Sequence, residues 1–206
     1  SKEAAEAGAD GILLVTPYYN KGTQNGLIKH YTTITEEAKV PAILYNVPSR
    51  TGCSLAASTV AYLAKNAEYV TAIKEASGDI SHVADIMYAC DGAIDLYSGN
   101  DDQIVPILSL GGKGVISVLS NVAPKETHDI VALFLEGKIK ESRELQLKAL
   151  PLVHALFSEV NPIPVKAALN LMGKEVGPLR LPLTEMEAAH QEVLVEEMKK
   201  FGIKLA

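Results

Sequence analysis

The feature that most constrains the fold is a regular alternation of short apolar runs with longer amphipathic segments. The apolar runs are nearly continuous, which is typical of strands covered on both faces in a parallel sheet. They occupy residues 11–16, 41–45, 69–74, 93–97 and 114–118. Segments with helical spacing lie between them, at residues 25–38, 55–65, 81–89 and 101–110. Repeated strand–helix units predict an α/β fold with a parallel sheet.

The chain changes character after the fifth apolar run. Every later segment has helical spacing, and these segments occupy residues 124–135, 138–157, 164–172 and 184–201. Thr184 with Glu187 predicts a capping box at the start of the last helix. We therefore expect residues 1–123 to form the sheet-containing part and residues 124–206 to form a helical segment.

The composition argues against several classes of function. The 206 residues carry 19 Lys and Arg against 25 Asp and Glu, a net charge of −6 without a basic stripe, which does not favour nucleic-acid binding. No apolar run approaches the ~18 residues of a membrane span, so we expect no membrane partner. Cys53 and Cys90 have neither metal nor disulfide spacing, which favours free thiols in a reducing, cytoplasmic compartment.

Polar side chains gather where the predicted strands end. Polar runs follow the first four strands, at residues 16–20, 45–52, 74–79 and 98–102. The carboxyl ends of parallel strands meet at one edge, and ligands bind there in parallel α/β proteins. The sequence therefore predicts one site that is shared by several strand ends.

Lys74 is the sharpest candidate for chemistry at this edge. It closes a strand of apolar and small residues, and burial lowers the pKa of a lysine because it disfavours the ammonium. A neutral amine is a nucleophile that forms Schiff bases with carbonyl compounds. The alternative is a strand-end lysine that reaches solvent or pairs with Glu75.

Four further residues near strand ends are candidates for the same site. Tyr45 could relay protons beside a Schiff-base lysine, or it could be an ordinary core tyrosine. Arg50, after Pro48, suits a substrate carboxylate, or it could be a surface arginine. Tyr18 and Tyr19 cannot both point the same way in an extended segment, so one could reach the site while the other packs elsewhere, for example against another subunit.

Adjacent aspartates raise the question of a metal. Asp101 and Asp102 open a predicted helix, where N-capping and the helix dipole explain them. They could instead be metal ligands, but no histidine or third carboxylate has ligand spacing, and the five histidines lie on predicted helices without a shared motif. We expect no metal site.

The strand-end segments together resemble one known family. The run Tyr45-Asn46-Val47-Pro48-Ser49-Arg50-Thr51-Gly52, followed by Ile73-Lys74-Glu75-Ala76-Ser77-Gly78-Asp79, is similar to the dihydrodipicolinate synthase family of class I, pyruvate-dependent aldolases. Supporting similarities lie in residues 16–20, 112–117 and 161–166. They extend over the whole chain in order, and the ordered set is far more specific than a lone lysine.

The resemblance implies catalytic roles for three residues. Lys74 would form the covalent Schiff base with pyruvate, so that no separate cofactor is expected. Tyr45 would relay protons, and Tyr19 would reach the site of a neighbouring subunit and complete its relay. A homo-oligomer, a dimer or tetramer, is therefore the expected assembly.

The resemblance also implies binding roles for four residues. Arg50 would bind the carboxylate of aspartate semialdehyde at the entrance of the site. The backbone of Ile116 would touch bound pyruvate, and Gly99 would line the pocket of the second substrate. Tyr18 would lie near a lysine-inhibitor site at a dimer interface.

The family fold is an eight-stranded (β/α) barrel, and such barrels typically need about 250 residues. Five strands in residues 1–123 predict a partial barrel without the first three units, and the start at Ser1 inside a predicted helix favours truncation. Two other functions stay open. One is an N-acetylneuraminate lyase or keto-deoxy sugar acid aldolase, although Arg50 favours the synthase. The other is a catalytically inactive assembly fragment.

Overall fold

The computed structural model describes residues 1–206 and divides them into two compact units, Ser1–Ile116 and Ser117–Ala206. The first unit contains a five-stranded sheet in the order β1-β2-β3-β4-β5, with every neighbouring pair parallel. The strands are β1 Ile12–Val15, β2 Ala42–Asn46, β3 Val70–Glu75, β4 Asp95–Ser98 and β5 Gly114–Val115. The parallel α/β fold is confirmed. The predicted fifth strand is shortened to two residues.

The first unit contains α1 Lys2–Glu6, α2 Gln24–Ala38, α3 Pro48–Thr51, α4 Ala57–Asn66, α5 Ile80–Cys90 and α6 Ile104–Ser109. Helices α2, α4, α5 and α6 separate the strands as the spacing predicted, α1 precedes β1, and the short α3 was not predicted. Side chains cap two of them. The Thr23 hydroxyl accepts from the Gly26 N–H at the start of α2, and the Asp79 carboxylate accepts from the N–H groups of Ser81 and His82 at the start of α5.

One face of the sheet forms the core of the first unit. Leu14, Leu44, Ile73 and Leu96 stand side by side across β1 to β4, and they belong to one apolar cluster. Residues of α2, α4 and α5 complete this cluster, among them Leu27, Tyr31, Leu63, Val83 and Ile86. Aliphatic side chains on a sheet and on helix stripes are buried together in this way because each element is apolar on one side.

The other face of the sheet carries the polar candidates. Side chains alternate between faces along a strand, so the neighbours of the core row point the opposite way. These neighbours are Val15, Tyr45, Lys74 and Tyr97, which pair in register across the four strands. Strand pairing therefore places two of the predicted site residues next to each other.

The second unit is helical. It contains α7 Pro124–Leu135, α8 Ile139–Leu156, α9 Ile163–Leu171 and α10 Ala188–Phe201. Its core is built from side chains of these helices, including Leu152, Leu156, Ala168, Leu194 and Met198. None of the helices of the chain is both long enough and apolar enough to cross a membrane.

The capping box predicted at Thr184 is wrong. The last helix begins at Ala188, and residues 183–187 have no regular structure. The Glu187 backbone N–H donates to Oε1 of Glu159 at 2.9 Å. A carboxylate distant in sequence therefore satisfies the amide at the start of this helix, in place of a local side chain.

Ile73→Ala tests the core of the first unit. Ile73 is fully buried in the apolar cluster, so the substitution should lower the free energy of unfolding by about 2–5 kcal/mol. Denaturant unfolding followed by circular dichroism measures this difference. Tyr88→Ala is the control, because Tyr88 is 90% exposed on α5 and its loss should cost less than about 0.5 kcal/mol.

Candidate active site

The candidate site is built on the paired ends of β2 and β3. Tyr45 and Lys74 are register partners, and Nζ of Lys74 lies 4.3 Å from the centroid of the Tyr45 ring. An ammonium over an aromatic face is attracted by the ring electrons. The sheet thus holds an amine and a phenol in direct contact at the edge where ligands bind in this fold class.

Burial controls the protonation of Lys74. The side chain is half-buried, and desolvation lowers the pKa of its amine, while the Asp101 carboxylate acts in the opposite direction. The net direction is downward. Lys74 therefore releases its proton more readily than an exposed lysine, which is the property that a Schiff-base nucleophile needs.

Tyr45 is shifted toward its protonated form. Burial raises the pKa of its hydroxyl, and the nearby positive charge of Arg50 partly offsets the effect. Arg50 lies on α3, a single helical turn that begins at Pro48. Tyr45 thus keeps a proton that it can donate, with a cation within electrostatic reach.

Gly99 allows a close approach of β4 to Lys74. A Cβ at this position would lie 2.6 Å from Cβ of Ala76 and 3.0 Å from Cε of Lys74. The Gly99 N–H donates to the Glu75 carbonyl at 2.7 Å, which fixes the backbone there. Only glycine fits between the lysine stem and the loop after β3.

The other predicted site residues are Ile116, which lies further along the sheet, and Tyr18 and Tyr19, which are more exposed to solvent than Lys74. The Ile116 N–H donates to the Ser98 carbonyl at 2.8 Å, so Ile116 continues the strand-end edge past β5. Tyr18 is 69% and Tyr19 is 92% exposed, and Tyr19 has a left-handed backbone with φ of 71°. Both tyrosine side chains are therefore largely open to solvent in the single chain.

The structure adds residues that the sequence reading missed. Asp101 is buried in a 3-10 turn and acts electrostatically on Lys74, so helix capping alone does not explain it. Tyr97 flanks Lys74 on β4, opposite Tyr45. The suggested pairing of Lys74 with Glu75 is wrong, because Glu75 lies on the opposite face and binds Asn46 instead. Strict alternation along β3 is the signal that could have excluded that pair.

The possible metal ligands are dispersed. No three His, Cys, Asp or Glu side chains come together in a geometry that could hold a metal ion. Cys53 and Cys90 are both buried free thiols.

A lysine amine of lowered pKa beside a tyrosine, at the carboxyl edge of a parallel β/α sheet, is the arrangement expected of an aldolase-type lyase of the Schiff-base class. The comparisons with known proteins agree with this class. The chain belongs to the dihydrodipicolinate synthetase family, whose model matches residues 1–201.

Relatives and solved structures support this assignment over nearly the whole chain. The chain is 62% identical over 203 residues to the 4-hydroxy-tetrahydrodipicolinate synthase of Lachnoclostridium phytofermentans, covering 98% of the chain and 69% of that relative. The crystal structure of dihydrodipicolinate synthase from Thermotoga maritima superposes with a TM-score of 0.95 at 45% identity, over 98% of this chain and 69% of that one.

A third comparison concerns a ligand-bound relative. The chloride-inhibited dihydrodipicolinate synthase from Acinetobacter baumannii, complexed with pyruvate, superposes with a TM-score of 0.94 at 41% identity, over 98% of this chain and 70% of that one. The chain thus has the fold of this barrel family with five parallel strands, and it spans about 69% of the length of the relatives.

The lowered pKa of Lys74 can be measured directly. Burial disfavours the ammonium, so the amine should become neutral, and therefore reactive, at lower pH than it does in the unfolded chain. Reductive methylation with formaldehyde, followed by peptide mass spectrometry across a pH series, gives the midpoint for Lys74. The same residue in urea is the control. A midpoint in the folded chain equal to or above that in urea would contradict the assignment.

Proposed function

We propose that the chain carries the pyruvate-condensing site of a 4-hydroxy-tetrahydrodipicolinate synthase, which joins pyruvate to aspartate 4-semialdehyde. The observation that carries the proposal is the amine of Lys74, held against the Tyr45 ring with its pKa lowered by burial. The names of the relatives support the same reaction, and pyruvate is bound in one related structure.

The chemistry begins at Nζ of Lys74. The neutral amine attacks the ketone carbon of pyruvate, and loss of water leaves a C=N double bond to the lysine. Loss of a proton from the methyl group gives an enamine, because the nitrogen accepts the electron pair. The enamine carbon then forms a C–C bond with the aldehyde carbon of the second substrate, whose oxygen takes up a proton. Attack of that substrate's amino group on the imine carbon closes a ring and releases Nζ of Lys74. The lysine itself provides the electron sink, so the proposed reaction requires no separate cofactor.

Proton transfer is the proposed task of Tyr45 and Tyr19. The raised pKa of Tyr45 keeps its hydroxyl protonated, so that it can donate to the oxygen that leaves as water. Tyr19, at 92% exposure, is free to enter the site of a second copy of the chain. We therefore propose a homo-oligomer, a dimer or tetramer, in which one subunit completes the relay of the other.

Substrate binding is assigned to the residues around this pair. Arg50 offers a guanidinium fork to the semialdehyde carboxylate. The Ile116 backbone contacts pyruvate, and Gly99 lines the space for the second substrate, which its close packing on Lys74 supports. For Tyr18, which is 69% exposed, we propose a position near an inhibitor site at the interface between copies. The buried free thiols support a cytoplasmic setting.

Borohydride trapping tests the nucleophile. Incubation of the full chain with pyruvate and sodium borohydride should give a stable adduct on Lys74, because reduction makes the imine permanent. Lys74→Ala should abolish the adduct, while Lys113→Ala, at a lysine that pairs with Asp95, should leave it unchanged. Peptide mass spectrometry locates the modification. A folded chain that forms no adduct would favour the inactive assembly fragment.

Arg50→Ala tests the second substrate. The loss of a charge-assisted pair should raise the semialdehyde concentration for half-maximal rate by about 10–100-fold. The pyruvate adduct on Lys74 should still form. Arg143→Ala, at an exposed arginine of the second unit, is the control. Unchanged semialdehyde kinetics in Arg50→Ala, or faster turnover of a sialic or keto-deoxy sugar acid by the unsubstituted chain, would favour the related lyases.

A further inference from the structure

Directly behind the Tyr45–Lys74 pair lies a buried polar pair that the proposed chemistry does not use. Asn46 and Glu75 are the next residues along β2 and β3, and they are 0% and 1% exposed. Nδ2 of Asn46 donates to Oε2 of Glu75 at 2.8 Å. Strand alternation points both side chains away from Lys74, so neither can act on the substrate directly.

Every hydrogen-bonding oxygen of this pair is engaged. The Leu55 N–H donates to Oδ1 of Asn46 at 3.0 Å, and the Ser77 N–H donates to Oε1 of Glu75 at 2.6 Å. Nε2 of His82 lies 3.9 Å from Oε2 of Glu75. The pair thus ties the ends of β2 and β3 to the loops that follow them. A buried carboxylate is expensive in a protein core unless such bonds satisfy it.

The role that we infer for this pair concerns the register between β2 and β3. Ala42 pairs with Val70, but Ile43 pairs with Ala72, so the register shifts by one residue at the start of the two strands. A one-residue slip turns every later side chain to the opposite face. The core row of Leu44 and Ile73 opposes a further slip in the middle of the strands. At their carboxyl ends the directional Asn46–Glu75 bond adds a second constraint on the same register.

We propose that Asn46 and Glu75 are a positioning pair that holds Tyr45 opposite Lys74 by fixing the β2–β3 register at its carboxyl end. The pair acts through the backbone of the two residues that precede it. Without it, the end of β3 is released, Lys74 moves toward solvent, and its amine loses both its burial and its contact with Tyr45. The effect of the pair on catalysis rests on the proposed function of Lys74. Its effect on the position of the Lys74 amine is independent of that function.

Exchanging the amide and the carboxylate between positions 46 and 75 tests this proposal. Glu75→Gln places two amide nitrogens, both donors, against each other, and rotating either amide leaves the Ser77 or the Leu55 N–H without an acceptor. The double variant Asn46→Asp/Glu75→Gln reverses the donor and the acceptor. It restores every hydrogen bond and keeps one buried negative charge.

Two rates report on the position of Lys74 in the full chain: borohydride-trapped adduct formation at saturating pyruvate, and reductive methylation at pH 7, which needs no pyruvate. Glu75→Gln should slow both by about tenfold, since small displacements of a reacting group have effects of this size or larger. The half-saturating pyruvate concentration should change less than the maximal trapping rate. The double variant should fold and return both rates to within about twofold of the unsubstituted chain.

The outcomes separate the alternatives. A purely electrostatic role for Glu75 predicts the opposite sign, because removing a nearby negative charge disfavours the ammonium and would speed methylation of Lys74 in Glu75→Gln. That result, or a double variant that is unfolded or stays slow, overturns the proposal. If the unsubstituted chain traps no pyruvate, the proposed function fails, and the methylation rates still decide whether the pair positions Lys74.

Discussion

The parallel pairing of β2 with β3 is the constraint on which the candidate site depends. It places Tyr45 beside Lys74 on one face and Leu44 beside Ile73 on the other, so the same backbone hydrogen bonds order the site and the core. Since the side-chain period of a strand is two, a shift of one residue would exchange these faces. The stability of the first unit and the geometry of its amine are therefore linked.

Burial has opposite consequences for the two site residues, and both suit carbonyl chemistry. It lowers the pKa of Lys74 and raises that of Tyr45, so the amine gives up its proton more readily than an exposed lysine while the phenol holds its proton more firmly. The Asp101 carboxylate raises the pKa of Lys74 and the Arg50 guanidinium lowers that of Tyr45, so each charge partly offsets the effect of burial. A nucleophile without its proton and a donor with one are the pair that imine formation requires.

Strand and helix positions could be predicted because apolar spacing encodes them, and the end of β3 was predicted at Lys74, one residue before its observed end at Glu75. Long-range contacts could not. The bond from Asn46 to Glu75 joins residues 29 apart in sequence, and the Glu159 contact that replaces the Thr184 capping box joins residues 28 apart. Such contacts depend on the completed fold. The predicted division after residue 123 stays a prediction, while the contacts divide the chain after residue 116.

The most direct test of the account is a crystal structure of the chain after reduction with pyruvate and borohydride. We expect continuous density from Nζ of Lys74 to the second carbon of the former pyruvate, with the Tyr45 ring beside it and the Asn46–Glu75 hydrogen bond intact. An unmodified Lys74, or an adduct carried by another lysine, would contradict the central claim that the β2–β3 register creates the nucleophile.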